Sequence, residues 1–559
     1  MIRSTLLCAL CFTSSSAAER DFYLRDPNVV KTLACRRHED RCFLNWYKSI
    51  NVGGPIEALE APNNTDSTDF SSGLAAIREI VDEAFDDGLR IRAHGSKWSL
   101  SNAAYTNDVM MNSQGLTYCK VGIDDESHVA DAYKDIRNRL AIVQSGVMVR
   151  DLHQILKNHS LALPTSVAAG GERLVGAVST GAHGSAQAYG AMQEIVRAIH
   201  VVIPGGHFLI QRATDPVITE AFGVWLDGAI VISDDTLFDA ALVSFGSFGI
   251  IHAVVIETEP LYGLKLQSKQ FSYDKVRPIL ESLNPSSLGF DGIGTELPFH
   301  FEVSFNPYKR NKDGCFVRLF EKVELPEEDL SIQQESEMLK TYRPTNLFEA
   351  LDQTITTSMA LLPTTTLKKI VFGKGVQAVL QNVFRTTSPA DQGQVRKSYE
   401  WFNFEGANYA SSEGPLAGTS IEIGVPADRV VEAIEIIFKI VDRDPMAAPV
   451  AVRLVKKSGA TLAFTKYDLT ATIEMPGPCD RILFRHRLRI TQMIFKAFAA
   501  SDIPHTYHWG QQFPLNDVWV PKAFGEDVVE TWKETRADFL GDALDTFSNE
   551  MMEDLGLYP

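Results

Sequence analysis

Apolar residues recur at helical spacing through Leu74, Ile77, Ile80, Val81 and Ala84, so residues 73–86 present one apolar face and read as an amphipathic helix. Asp86-Asp87-Gly88 breaks it, and Leu89 to Ala93 reads as a short strand running into the small-residue loop His94-Gly95-Ser96-Lys97-Trp98-Ser99. Ala141 to Gln144 is a second strand, followed through Gly146 by a helix that carries Val149, Leu152, Ile155 and Leu156. Residues 165–190 are dense in small residues, with Gly170, Gly171, Gly176, Gly181, Gly184 and Gly190 interleaved with Ser179, Thr180, His183 and Ser185. Ala198 to Ile203 is a strand ended by Pro204-Gly205-Gly206, and Phe238 to Leu242 reads as helix. Ser244-Phe245-Gly246-Ser247-Phe248-Gly249 then turns the chain into the strand Ile250 to Ile256.

After Pro260 the texture changes. His300 to Phe305 and Ser420 to Val425 alternate as half-buried strands. The stretch 325–410 between them is mostly helical in pattern, Val430 to Val441 is an amphipathic helix, 449–475 is strand-like and 481–500 is a helix rich in arginine. The expected organisation is an N-terminal leader over 1–43 and a first domain over 44–262. A second domain follows over 263–480, with a helical insertion at about 325–410. A C-terminal segment, 481–559, then returns to the first domain and the active site.

Charge and length remove several classes. The 559 residues carry 53 basic and 71 acidic side chains, a net charge of −18, which argues against a nucleic-acid binder. No apolar run approaches the roughly 18 residues of a membrane-spanning helix. The seven cysteines, Cys8, Cys11, Cys35, Cys42, Cys119, Cys315 and Cys479, do not form facing CxxC pairs, so a structural zinc site is not expected. Arg3, the run Leu6 to Phe12 and the small residues up to Ala18 resemble a short secretory signal. A secretory or extracellular location follows if that signal is used, and an organellar or membrane-associated one if it is not. Cys35 and Cys42 could close a small loop, and Asn63-Asn64-Thr65 and Asn158-His159-Ser160 are glycosylation acceptor tripeptides.

Nucleotide-hydrolase, NAD-dehydrogenase, serine-hydrolase and zinc-protease signatures are all missing from the sequence. What remains is two small-residue loops, His94 to Ser99 and Gly176 to Ser185, each in strand–loop order. Main-chain N–H groups in such loops can cradle a pyrophosphate, because small side chains let the backbone approach. Taken singly, either loop could merely turn the chain; the pair together points to a cofactor cradle.

The stretch Arg90-Ile91-Arg92-Ala93-His94-Gly95-Ser96-Lys97-Trp98-Ser99 resembles the first FAD loop of the vanillyl-alcohol-oxidase-type (PCMH-type) flavoproteins. Leu163-Pro164-Thr165 followed by Val175 to Ser185 resembles their second loop. Leu237-Phe238-Asp239-Ala240 with Ser247-Phe248-Gly249-Ile250-Ile251 resembles the element at the adenosine end, and Asn45-Trp46 the opening of the domain. His508-Trp509-Gly510 is similar to the HWGK signature of the sugar-1,4-lactone oxidases, which include D-arabinono- and L-gulono-1,4-lactone oxidases. The resemblance implies an α+β fold, with a two-subdomain FAD-binding domain and a cap domain built on an antiparallel sheet. It implies FAD held by Gly95, Ser96, Ser99, Ser179, Thr180, Gly181, His183, Gly184, Gly249 and Ile251, no metal, and catalytic roles for Arg453, His508 and Gln511.

Four departures qualify what is carried over. Trp98 stands where many relatives have the histidine that bonds covalently to the flavin, so noncovalent FAD is expected; His94 is the rival for an alternative link. Gln511 replaces the lysine after His-Trp-Gly, and Ala451-Val452-Arg453 aligns with the Glu-x-Arg pair of the cap, keeping the arginine and losing the glutamate. Val167 occupies the position of a glycine that lets O₂ reach the flavin, which favours another electron acceptor. Glu422, Lys466 and Glu474 also lie on cap strands, where a solvated or paired surface position is the plainer reading. The implied activity is FAD-dependent dehydrogenation of a CH–OH carbon of a sugar lactone, polyol or related carbohydrate, a small-molecule alcohol or lactone, with O₂ or another acceptor. A larger alcohol such as a sterol or oligosaccharide, and a flavin-binding protein without turnover, are the alternatives.

Overall fold

Helix Phe70–Asp86 forms where the periodicity places it, and its apolar face is buried between two sheets. Leu74, Ile77, Val81 and Ala84 pack against Ile91, Val109 and Met111 on one side and Val202, Ile203 and Ile250 on the other. The structure is a computed structural model. It describes residues 42–44, 51–53, 57–60, 70–167, 170–326, 364–385, 393–402, 418–478 and 481–559. Residues 1–41 of the leader, Asn45-Trp46, the Asn63 tripeptide, Cys479 and much of the 325–410 stretch lie outside these residues, and with them Cys8, Cys11 and Cys35; within that stretch helix Thr365–Arg385 is described.

The fold is α+β. The first small sheet is parallel, in the order Glu57–Glu60, Val109–Asn112, Ile91–His94. The second is a mixed six-stranded sheet in the order Ile230–Ser233, Gly206–Gln211, Val196–Ile203, Ile250–Glu257, Leu140–Gln144, Cys119–Val121. The two glycine-rich loops start differently: strand Ile91–His94 runs straight into the first, and the helix Leu174–Ser179 opens the second. The Ser244–Gly249 turn is fastened by two buried arginines. Arg92 donates to the Phe245 carbonyl (2.6 Å) and Arg536 to that of Ser247 (2.9 Å). Both are tied to backbone carbonyls in the C-terminal segment, at Phe547 and Leu544. Chain ends far apart in sequence thus fix one turn at the floor of the cavity described below.

The cap is an eight-stranded, wholly antiparallel sheet. Its order is Val395–Lys397, Gly263–Phe271, Cys315–Val323, His300–Phe305, Val450–Lys456, Leu469–Glu474, Glu422–Pro426, Thr506–Tyr507. The strand-like region 449–475 is two strands rather than one, joined by a loop over 457–468. Helix Arg481–Ala499 packs on helix Val430–Arg443 against the cap, so the chain turns back only after the edge strand Thr506–Tyr507. Helix Glu526–Leu540 then lies on Asp235–Leu242 in the first domain, where the buried Trp532 donates its indole N–H to the Ala240 carbonyl.

Candidate active site

A cavity of about 290 Å³ opens where the first loop, the second loop and the Ser244–Gly249 turn face the cap sheet. On the first loop, Gly95, Ser96, Lys97, Trp98 and Ser99 line it. The loop is stitched to the C-terminal return: the Leu100 N–H donates to the Gly510 carbonyl (2.7 Å), and the Ser101 hydroxyl to the Trp509 carbonyl (2.6 Å). Trp509 is wholly buried among Phe245, Phe513, Trp519 and Phe524, and its indole N–H reaches the Leu462 carbonyl at 2.6 Å. The tryptophan of the His-Trp-Gly run is therefore a packing anchor, and it delivers His508 and Gln511 to the cavity.

The second loop supplies Glu172, Arg173, Val175, Gly176, Ala177, Ser179, Thr180, Ala182 and His183. A β-carbon on Gly176 would meet no protein atom within 4 Å, so its backbone is bare toward the cavity. Arg173 is buried, its side chain crossing Gly95 and donating to the Gly146 carbonyl, while its Nε has no partner. Burial pushes its guanidinium below the ordinary arginine range, and burial does the same to Lys97 on the first loop. Glu172 is half-buried, but its Oε2 is sealed from solvent without a partner, and burial raises its carboxyl to about 7. Two desolvated cations beside a bare helical turn form a site for an anion such as a pyrophosphate. The residues present therefore fit FAD.

The cap wall is densely charged. Arg453 donates to the Glu474 carboxylate at 2.5 Å and lies 4.0 Å from that of Glu422. Burial works against its charge, but Glu474, Glu422 and Glu302 hold its guanidinium well above the ordinary range. Glu422 is 2% exposed and 3.0 Å from His183 Nε2. Burial alone would raise Glu422, yet the contact and hydrogen bond with His183 and the charge of Arg453 hold it well below the usual carboxylate range. Because His183 Nδ1 faces the Gly184 carbonyl at 2.8 Å and must donate there, the 3.0 Å contact requires one proton between His183 Nε2 and Glu422.

His508 behaves differently. The Gly510 N–H donates to its Nδ1 (2.9 Å), so in the neutral ring the proton sits on Nε2. Burial lowers its pKa to about 4 and keeps it neutral. His183, Glu422 and His508 bring their polar atoms within 4.8 Å of one another, the spacing of a metal site. The Nε2 proton of His508 instead makes that edge a hydrogen-bond donor.

Of the residues singled out in the sequence, Gly95, Ser96, Ser99, Ser179, Thr180, His183, Gly249, Ile251, Arg453, His508 and Gln511 all line this cavity. Gly181 and Gly184 do not. A β-carbon on Gly184 would come 2.2 Å from the Ser166 carbonyl oxygen, and this glycine borders a second cavity of about 70 Å³ together with Val167, Glu302, Arg318 and Arg453. Val167 and Arg453 line both cavities and so stand between them. Lys466 reaches away to the Ala523 carbonyl. Glu422 and Glu474, expected at a solvated or paired surface, line the cavity, because neither strand is at the sheet edge and this face is covered by the loops. Arg173 and Glu172 went unassigned in the sequence, and Gly176 was named only as part of its loop. The signal that could have found Arg173 is a cation inside an otherwise small-residue loop.

Residues 72–210 match the family model described as FAD binding domain. Over 191 residues the chain is 25% identical to the D-arabinono-1,4-lactone oxidase of Yarrowia lipolytica, covering 34% of this chain and 31% of that protein. Over 234 residues it is 26% identical to an L-gulono-1,4-lactone dehydrogenase of Mycobacterium tuberculosis, covering 42% and 44%. The matches thus span less than half the length of these relatives. The cholesterol oxidase of B. sterolicum superposes with a TM-score of 0.64 at 12% identity, over 92% of this chain and 96% of that one. A chitooligosaccharide oxidase superposes at 0.55 and 11%, over 93% and 95%. The chain carries an FAD-binding domain and has the fold of these two oxidases. Over 191 to 234 residues it is similar in sequence, at low identity, to sugar-1,4-lactone oxidases and dehydrogenases.

Proposed function

We propose that the protein is an FAD-dependent oxidoreductase that dehydrogenates a CH–OH carbon of a sugar lactone, polyol or related carbohydrate. The observation that carries this is the cap wall, where Arg453, Glu474, Glu422, His508 and Gln511 converge on the cavity formed by the two loops. A surface of charged and hydrogen-bonding groups suits a polyhydroxylated molecule. It would leave polar groups unpaired against a sterol, at a cost of about 1–3 kcal/mol each. Two carboxylates on this wall, the buried Glu422 and the half-buried Glu474, also disfavour an acidic substrate.

Bound FAD would accept the hydride that leaves the alcohol carbon. Gly95 to Ser99 and the Gly176 turn would hold the cofactor, with Arg173 and Lys97 offering positive charge to its phosphates. Arg453 places a fixed positive charge in the cavity, which favours charge that develops there during reduction. His508 donates a hydrogen bond through Nε2–H. Gln511 gives its amide N–H to Glu474 (3.4 Å) and keeps a buried, unpartnered carbonyl oxygen for a substrate hydroxyl. The His183–Glu422 pair stores a proton beside them.

Attachment is noncovalent in this reading: the Trp98 ring packs on Gly171, where a β-carbon would come 2.4 Å from it. Val167, buried between the two cavities, supports an acceptor other than O₂. The test is acid precipitation followed by absorption spectroscopy, then anaerobic bleaching with a panel of aldonolactones, polyols and sterols. Flavin released to the supernatant and bleaching by lactones or polyols are expected. Bleaching by sterols alone would overturn the substrate class, and no bleaching by any alcohol would leave a flavin-binding protein without turnover.

A further inference from the structure

The cap sheet carries its carboxylate one strand away from where the Glu-x-Arg pattern puts it. Ala451 is paired in register with Glu474 on the neighbouring strand, and Glu474 in turn with Glu422. Ser304, Ala451, Glu474 and Glu422 therefore form one row across four strands on a single face of the sheet. The next row on that face is Glu302, Arg453, Thr472 and Gly424. Residues in diagonal positions of adjacent rows are ~7–8 Å apart, within reach of long side chains. Arg453 uses that reach to bond Glu474 across the ladder at 2.5 Å.

We infer that Glu474 is the positioning residue of the site. It is the carboxylate that neutralises and aims Arg453, in place of the glutamate absent at 451, and Gln511 is its adapted partner. Three observations carry this. Glu474 lines the cavity with Arg453 and Gln511. Its second oxygen accepts from the Ser420 hydroxyl (3.2 Å) and the Gln511 amide (3.4 Å), so both oxygens are used and the carboxylate is fixed in orientation. A glutamate at 451 would stand in the same row, beside a carboxylate already present, and like charges directly opposite on a ladder repel. The small Ala451 and the relocated Glu474 are thus two halves of one change. The uncharged Gln511 completes it, since an amide can hand its N–H to Glu474 without adding a second positive charge to Arg453. Glu302 is not free for this task, because Arg318 holds it at 2.5 Å.

The inference rests on the oxidoreductase reading for its catalytic consequence but not for its electrostatic one, and the experiment separates the two. The FAD-loaded protein is compared with Glu474→Gln, Ala451→Glu and the double variant Ala451→Glu/Glu474→Gln. In Glu474→Gln the positive charge of Arg453 loses its nearest carboxylate, so reduction of bound FAD becomes more favourable by at least tenfold, about 30 mV for a two-electron couple. Anaerobic reduction by the best alcohol of the panel slows by at least 100-fold, because Arg453 is no longer aimed. The double variant restores both quantities to within about tenfold of wild type, whereas Ala451→Glu alone does not improve on it. An unchanged potential in Glu474→Gln, or a folded, FAD-replete double variant no better than Glu474→Gln, overturns the inference. If no alcohol reduces the wild type, the oxidoreductase reading fails, and the potentials still decide the role of Glu474.

Discussion

Gly176 and Gly184 sit eight residues apart in the same loop, yet the structure assigns them opposite burdens. At Gly176 an added β-carbon meets nothing within 4 Å, and the residue lies in helix Leu174–Ser179. Gly176→Ala should therefore stabilise the apoprotein by up to about 1 kcal/mol, the difference between glycine and alanine in a helix. With an unfolding entropy of ~2.1 cal/mol/K per residue over a cooperative unit of ~200 residues, that is a rise of about 2 °C in Tm. The same methyl group enters the space left for the cofactor, and Gly176→Leu fills more of it. Losing one backbone hydrogen bond to a charged phosphate costs about 1.5–3 kcal/mol, so FAD affinity should fall about 10- to 150-fold. At Gly184 the β-carbon would lie 2.2 Å from a backbone carbonyl oxygen that cannot swing aside. Gly184→Ala should cost at least about 1–3 kcal/mol, with apoprotein Tm falling by several degrees. The assay is thermal unfolding of apoprotein beside fluorescence titration with FAD. A Gly176→Leu protein that binds FAD as wild type, or a Gly184→Ala apoprotein with unchanged Tm, would refute the assignment.

Arg173→Met should weaken FAD binding about tenfold or more while leaving the apoprotein folded, because it removes a desolvated cation whose Nε lacks a partner; an unchanged dissociation constant in the same titration would assign Arg173 to packing. Stability should fall with acid below pH 6.5. Burial holds His252 at about 3 and His200 well below the ordinary histidine value, so the unfolded chain takes up protons near pH 6.5 that the folded chain refuses. Each such histidine then costs about 1.4 kcal/mol per pH unit, about 2 kcal/mol at pH 5; urea midpoints at pH 7.5 and 5 measure it, and His252→Gln should flatten the slope. Val167→Gly should speed reoxidation of the reduced protein by air at least tenfold in stopped-flow absorbance; fast wild-type reoxidation that the substitution leaves unchanged would show that Val167 is no barrier.

Although the strands Val109–Asn112 and Gly206–Gln211 went unread, the sequence alone determined four strands of the first domain, near 89–93, 141–144, 198–203 and 250–256, and the smallness of the residues around the expected cofactor. These are local properties: helical periodicity from Leu74 to Ala84 and backbone access in His94 to Ser99 depend on near neighbours only. It also determined the departures at Trp98, Ala451 and Gln511, since residue identity needs no coordinates. It could not place Glu474. A strand's two faces are distinguished only by what covers them, and the cover over this face comes from loops some three hundred residues earlier in the chain. Nor could it tell Gly176 from Gly184, whose difference is the position of the Ser166 carbonyl relative to one and of empty space relative to the other. Arg453 was legible as a cation, but its partner was not. The pairing crosses a ladder whose register is fixed by strands far apart in sequence, and a slip of one residue would have turned Glu474 to the opposite face.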